Sequence, residues 1–262
     1  MRTPVPVLLS LVCCLAAGSA SAAPIMYVHD QDGVLGTVDV ESGATTTIGS
    51  MGVVMTDIAF DPLGNLFGIS FTGLYAIDHL TASAAFIGNH SIAGGNALVF
   101  GADGTLYGAG NSSTNLYTLD AATGASTSVG NMGFLSGGDL AFNMGSFYLA
   151  SSSAQLVSVN PATGAGTLIG DFGVSNVFGL ATGDDGVLYG VAGTSIFTVN
   201  PLTGAGVNPV SFAGQGLSNA FGQSFLSEAG ALAAVPDGAS SLLLAAMGLG
   251  AVLLAQRRLI HS

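Results

Sequence analysis

A short sequence pattern recurs five times in the middle of this 262-residue chain, and that repetition constrains the fold more than any other feature. Each copy alternates apolar and small residues and ends in Asp or Asn, at positions 39, 78, 120, 160 and 200. A turn follows each copy, with Gly in four of the five, and then a segment rich in Thr and Ser. This order is typical of a β-hairpin. The repeat therefore predicts one small structural unit that is built five times.

A second hairpin recurs in register with the first. In one unit its strands are Ile58–Phe60 and Leu66–Gly68, joined by a turn at Gly64, and equivalent segments begin at residues 98, 140 and 180. Each unit thus has four short strands in about 40 residues, which is the size of a β-propeller blade. The sequence predicts an all-β fold, a β-propeller of about five blades. An open β-solenoid or a sandwich is the alternative.

The two ends of the repeat region indicate how such a ring closes. Residues 25–28 match the second strand of a unit, so the first unit lacks its innermost strand. The segment Leu217–Phe225 holds a spare apolar strand around Asn219–Phe221, about 40 residues beyond Leu180. If that strand joins the first unit, five four-stranded blades form and no edge of the ring stays unpaired.

The first residues have the composition of an export signal. An apolar stretch, Val5–Ala17, is followed by small residues that end in Ala20-Ser21-Ala22. This pattern predicts a signal peptide over residues 1–22, cleaved between Ala22 and Ala23; a permanent membrane helix is the alternative. Both cysteines of the chain lie inside this segment, so the processed chain contains no thiol.

The last residues contain a candidate membrane segment. After the repeat domain at residues 23–230, a linker at 231–238 carries Val235-Pro236-Asp237-Gly238. An apolar run at 239–256 follows, long enough for a single transmembrane helix. The tail at 257–262 begins with Arg257 and Arg258, a basic stop that the positive-inside rule places in the cytoplasm. A plain C-terminal anchor is the simplest interpretation.

This order of a short Pro-containing motif, one apolar helix and a basic cluster resembles the PEP-CTERM sorting signal of Gram-negative bacteria that produce exopolysaccharide. Val235 and Pro236 match the usual Val-Pro-Glu-Pro motif, whereas Asp237 and Gly238 replace its Glu-Pro pair. The resemblance covers only residues 235–258. It implies recognition by an exosortase-like processing enzyme at the membrane, removal of the tail, and delivery of the body to the cell surface or extracellular matrix, where exopolysaccharide would be a partner.

The charge balance restricts the possible partners. The chain has 15 acidic residues and only 3 basic ones, for a formal net charge of −12. The basic residues are Arg2, Arg257 and Arg258, all at the chain ends. A nucleic-acid partner is therefore excluded, because its binding needs Lys and Arg to neutralise phosphates.

Most of the acidic side chains are expected to stabilise turns. Side chains at the repeated Asp or Asn position accept hydrogen bonds from turn amides. Asp57 and Asp139 begin innermost strands and could face a central channel, although Ala97 and Gly179 occupy the matching places. Asp30-Gln31-Asp32-Gly33 resembles the start of a calcium loop but lacks the later ligands, so a turn is favoured. The sequence predicts no catalytic residue, no metal site and no cofactor.

Aromatic residues recur at one strand position, namely Phe67, Tyr107, Tyr148 and Tyr189. They are expected to pack between blades; exposed, they would instead suit neutral sugars. The sequence therefore favours a non-enzymatic surface or matrix protein. A carbohydrate-binding propeller is the first alternative. A glycan-cleaving enzyme is the second, and it requires acids outside the repeat, such as Asp30, Asp171 and Asp184, to converge at one pocket.

Overall fold

The computed structural model describes residues 23–143 and 145–230. The predicted signal peptide, sorting motif, transmembrane helix and basic tail lie outside the described residues, apart from the cleavage-site residue Ala23. Within them the chain forms twenty strands. They are β1 (Ile25–Asp30), β2 (Val34–Asp39), β3 (Thr45–Ser50), β4 (Asp57–Phe60), β5 (Leu66–Ile69), β6 (Gly73–Ile77), β7 (Ala84–Asn89), β8 (Gly95–Phe100), β9 (Leu106–Gly110), β10 (Ser113–Leu119), β11 (Ser126–Asn131), β12 (Ser136–Asn143), β13 (Ser146–Ser151), β14 (Gln155–Val159), β15 (Gly166–Asp171), β16 (Val177–Thr182), β17 (Leu188–Ala192), β18 (Ser195–Val199), β19 (Gly206–Ser211) and β20 (Ala220–Ser224).

The strands form five antiparallel sheets of four strands each. Blade 1 has the order β20-β1-β2-β3, and blades 2 to 5 are β4–β7, β8–β11, β12–β15 and β16–β19. The innermost strands β20, β4, β8, β12 and β16 contact one another in sequence around the ring. The predicted five-bladed propeller is confirmed.

Blade 1 is completed by the C-terminal strand, as the sequence predicts. β20 pairs antiparallel with β1 and places Gln223 opposite Val28 and Gly222 opposite His29. The strand extends three residues beyond Phe221, because Gly222, Gln223 and Ser224 also pair with β1. The first and last strands are thereby joined, and the ring has no open inner edge.

The repeated turn residues behave as expected. Asp39, Asp78, Asp120, Asn160 and Asn200 each accept a hydrogen bond at their side-chain oxygen from an amide two residues later. These bonds satisfy the turn amides that the strands leave free. The repeated Asp or Asn therefore has a structural role in every blade.

A Gly near the end of four of the five outermost strands allows neighbouring blades to pack closely. A Cβ added at Gly88, at the end of β7, would lie only 2.0 Å from the carbonyl oxygen of Thr123 in the turn of the next blade. Gly130 and Thr163 repeat this relation between blades 3 and 4, again at 2.0 Å. A side chain at these positions would push the blades apart.

Apolar residues fill the spaces between blades in five separate clusters. The repeated aromatics belong to these clusters, so the packing interpretation is confirmed. Tyr107 of blade 3, for example, packs edge-on against Phe147 of blade 4, with ring centroids 4.9 Å apart. These rings are consequently not a set of equivalent exposed platforms for sugars.

Candidate functional site

The innermost strands bring five equivalent residues together around the central channel. The register of each inner pair places Asp57, Ala97, Asp139, Gly179 and Gly222 at the same position of their blades. Two of these five residues are acids and two are glycines. The channel therefore contains carboxyl groups and the space to hold further side chains.

Asp57 and Asp139 are completely buried and make equivalent bonds to neighbouring blades. Asp57 Oδ2 accepts a hydrogen bond from the amide of Leu98 at 2.6 Å, and Asp139 Oδ2 accepts one from the amide of Leu180 at 2.7 Å. The first bond joins blade 2 to blade 3, and the second joins blade 4 to blade 5. Both acids thus serve the contacts that hold the ring together.

The two carboxyl groups lie close enough across the channel to perturb each other's ionisation. Burial raises the pKa of Asp57 well above its usual value, and burial together with the charge of Asp57 does the same for Asp139. Oδ1 of Asp139 has no hydrogen-bond partner among the described residues. Burial and, for Asp139, the neighbouring charge of Asp57 therefore favour the protonated form of these carboxyl groups.

A third buried acid, Glu228, lies at the end of the channel where the inner strands finish. Its Oε1 accepts hydrogen bonds from the amides of Phe142 and Thr182 at 3.4 and 3.3 Å, and its Oε2 accepts one from Ser224 Oγ at 3.1 Å. Ser224 Oγ in turn accepts a bond from the amide of Phe60. Burial raises the pKa of Glu228 to about 8. This side chain closes one end of the channel.

Two further polar side chains occupy the space left by the channel glycines. A Cβ built at Gly222 would lie 2.6 Å from His29 Nε2 and 2.5 Å from Asp57 Oδ1. A Cβ at Gly179 would lie 2.5 Å from Gln223 Oε1. Neither ring nitrogen of His29 has a hydrogen-bond partner in the described chain, and burial lowers its pKa to about 4, so the imidazole is neutral at pH 7.

Sequence reasoning considered the channel acids but did not foresee this assembly. One signal for His29 was present, because the equivalent residues of the other blades are apolar: Ile69, Ala109, Ala150 and Val191. Glu228 carried no repeat signal, since it lies beyond the last strand.

The acids that a glycan-cleaving enzyme would need lie on three different turns or strand ends. Asp30 accepts hydrogen bonds from the amides of Asp32 and Val34 and from Ser218. Asp171 ends β15 and accepts a bond from Gln155, and Asp184 is exposed in the turn after β16. The expected turn at Asp30-Gln31-Asp32-Gly33 is present. No cluster of three or more metal-ligating side chains occurs in the part of the chain that the structure describes.

A cavity of about 450 Å³ opens on the face where the inner strands begin, which we call the upper face. Its floor is formed by residues that directly precede the channel ring, including Thr56, Asn96, Gly138, Phe178 and Phe221. Its walls come from the loops between blades and from the turns between second and third strands. This upper cavity lies directly above the buried acids and is lined without any charged side chain.

The lining of the upper cavity combines aromatic rings with small polar groups. Phe178 and Phe221 pack edge to face, with ring centroids 6.0 Å apart and an interplanar angle of 80°. Phe71 projects from the turn of blade 2 and is 55% exposed. Asn96 is 7% exposed, and its Oδ1 has no hydrogen-bond partner among the described residues.

A second cavity of about 650 Å³ adjoins the first where blade 5 meets blade 1. It is lined in part by Asn176, Phe178 and Phe221, which also line the upper cavity. These three residues therefore form a shared border between the two cavities on the upper face. In residues 23–143 and 145–230, no helix has the length and apolar character needed to span a membrane.

Comparison with known proteins gives structural but no sequence relatives: neither a family model nor a curated protein matches the chain. Among solved structures, a symmetrical protein described as a case of de novo evolutionary emergence matches with a TM-score of 0.52 at 19% identity, covering 76% of this chain and 93% of that one. A chain of a nidogen/laminin complex matches with a TM-score of 0.53 at 16% identity, covering 78% and 85%. At these identities the likeness is one of fold, and with the strand order above it identifies the chain as a five-bladed β-propeller.

Proposed function

We propose that this protein is exported and serves at the cell surface or in the extracellular matrix, where its propeller has a non-enzymatic binding role. The observation that carries the proposal is the placement of charge in the site. The upper cavity is lined by uncharged side chains, and the acids below it are sealed from solvent and engaged with one another.

The acid pair is poorly suited to glycoside hydrolysis. The two carboxyl groups of a glycosidase are about 5 to 9.5 Å apart, so that a sugar and a water molecule fit between them. Asp57 and Asp139 are instead both 0% exposed, so the solvent does not reach either carboxyl group. Both also bind amides of neighbouring blades, which is a structural use of the same oxygens.

A hydrolase of the Ser–His–acid type also finds no support in the described chain. His90 Nε2 contacts the carbonyl oxygen of Ser70, His29 has no partner, and His79 packs against aromatic rings. None of these three imidazoles bonds to a serine hydroxyl or to a carboxylate, as a general base in such a triad must. This supports a binding role over nucleophilic catalysis.

The proposal of export and sorting rests on the sequences of the two terminal segments. Cleavage between Ala22 and Ala23 would release the body outside the inner membrane, and an exosortase-like enzyme would act near Val235-Pro236-Asp237-Gly238. Arg257 and Arg258 would hold the precursor in the membrane until that step. The processed body would then carry no Lys or Arg, so proteases of trypsin-like specificity would have no cleavage site in it.

The test is the mass of the protein recovered from its native cells after separation into membrane, surface and medium fractions. We expect a chain that begins at Ala23, ends near residues 235–238, and occurs in the surface or medium fraction. A chain that retains Arg257 and Arg258 in the membrane fraction would make the tail a plain anchor. A chain that retains residues 1–22 in the cytoplasm would refute export.

A further inference from the structure

We infer that the upper cavity is a binding site for a neutral carbohydrate. This inference rests on the proposed function, since it names the ligand class and the site through which a surface or matrix propeller would bind.

Charge limits the ligand to uncharged molecules. No Lys or Arg occurs between residues 2 and 257, so the site offers no cationic group for a phosphate, a sulfate or a uronic acid. The net charge of −12 further repels anions. The cavity also presents no carboxylate to a cationic ligand, because the acids lie buried beneath its floor.

Asn96 indicates that the ligand carries hydroxyl groups. It lies at the floor of the cavity, is more than nine-tenths buried, and has no hydrogen-bond partner for Oδ1 among the residues that the structure describes. A buried polar atom without a hydrogen bond costs about 1–3 kcal/mol. Oδ1 is enclosed in this structure, and a half-turn of the amide exchanges it with the nitrogen. A sugar hydroxyl can pair with whichever of the two atoms then faces the cavity, because it both donates and accepts.

The aromatic rings suit the other face of a sugar. A pyranose ring has a C–H-rich face in addition to its rim of hydroxyls, and such faces pack on aromatic side chains. Phe178 and Phe221 provide ring surface beside Asn96, and the exposed Phe71 provides a third ring across the cavity. Asn111 and Asn176 are exposed at the cavity wall and can bind the outward hydroxyls. An apolar ligand would leave the Oδ1 of Asn96 without a partner.

The shape predicts a preference for oligosaccharides over single sugars. The cavities of about 450 and 650 Å³ share Phe178 and Phe221 and are each within the range of small-molecule sites. A chain of several sugar units can therefore lie across both of them. We expect affinity to rise from the monosaccharide to the hexasaccharide.

The test is calorimetric titration of the full-length protein with defined oligosaccharides. The probes are the neutral hexasaccharides of β-1,4-glucan, β-1,3-glucan, α-1,4-glucan and β-1,4-mannan, with an alginate hexasaccharide as the anionic comparison. We expect at least one neutral hexasaccharide to bind and the alginate not to bind. Phe178→Ala and Asn96→Ala should each raise the Kd of that neutral ligand at least tenfold.

Matched controls separate the site from general effects. Phe86 and Asn89 lie on β7, are exposed, and line neither cavity. Phe86→Ala and Asn89→Ala should therefore bind like the unaltered protein. If Phe178→Ala unfolds, Phe71→Ala tests the same cavity from an exposed turn and should also weaken binding.

Three results would overturn the inference. They are failure of every neutral hexasaccharide to bind, equal affinity in the cavity and control variants, and tighter binding of alginate than of any neutral probe. An apolar fluorescent probe that binds the cavity when no sugar does would assign it to an apolar ligand instead. None of these results bears on export or tail processing, which the cell fractionation tests separately.

Discussion

Removal of the charge of Glu228 should make the protein more stable at alkaline pH. Glu228 is buried at one end of the channel, and its pKa is about 8, compared with 4.5 for a free Glu. Because the folded state holds this proton more tightly than the unfolded state, its stabilising effect is complete below about pH 4.5. It is then lost progressively as the pH rises towards 8.

The size of the effect follows from the shift in pKa. Each pKa unit corresponds to about 1.36 kcal/mol, so the free energy of unfolding should fall by on the order of 5 kcal/mol between pH 4.5 and 8 through this group. A typical domain has only about 5–15 kcal/mol in total. Glu228→Gln keeps an acceptor for the amides of Phe142 and Thr182 but has no proton to lose, so it should not show this decline.

The assay is urea denaturation of the unaltered protein and of Glu228→Gln at half-unit steps from pH 4.5 to 8.5. Asp184→Asn is the matched control, because Asp184 is exposed and its removal changes only the overall charge. Asp57 and Asp139 also have raised pKa values, so they too make the folded state less stable as the pH rises. Because both acids are present in all three proteins, their effect does not distinguish the variants. Parallel stability curves for the unaltered protein and Glu228→Gln would refute the reasoning.

Other substitutions test the ring contacts. Asp139→Ala should lower the free energy of unfolding at pH 7 by about 1–3 kcal/mol, because a buried amide loses its acceptor, and Asp139→Asn should lower it by less. Equal decreases for the two variants in urea denaturation would contradict this. Gly130→Ala should destabilise by about 1–3 kcal/mol, since its methyl group would meet the carbonyl of Thr163, and an unchanged melting temperature would argue against that contact. Truncation after Gly216 removes β20 and should cause either self-association, seen by light scattering, or unfolding that is no longer cooperative. Truncation after Gly230 keeps the ring closed, and identical behaviour of the two truncated proteins would refute closure by β20.

The fold could be predicted from local patterns, because a blade is a local structure. Each hairpin is specified by alternating apolar residues and by a turn at Gly or Asn, all within about ten residues. Closure by β20 was also predictable, since the first unit lacks one strand and the end of the repeat region supplies one. The role of the repeated Asp and Asn followed from turn chemistry.

The candidate site could be predicted only in part. The sequence indicated that Asp57 and Asp139 could face the channel, but nothing local to either residue shows that they meet. The acids singled out for possible catalysis, Asp30, Asp171 and Asp184, belong to separate turns. The upper cavity was not foreseen, because its lining combines strand and loop residues from all five blades.

The sequence by itself therefore determined the repeating unit, the number of units and the pairing that closes the ring. Only the tertiary structure decided which polar groups lose water and which of them meet. Ring closure brings Asp57 and Asp139 together from alternate blades and places Glu228 at the end of the same channel. The physical reason is that hairpins depend on short-range hydrogen bonding, whereas desolvation and the interaction between buried acids depend on distances that exist only when all five blades are in place.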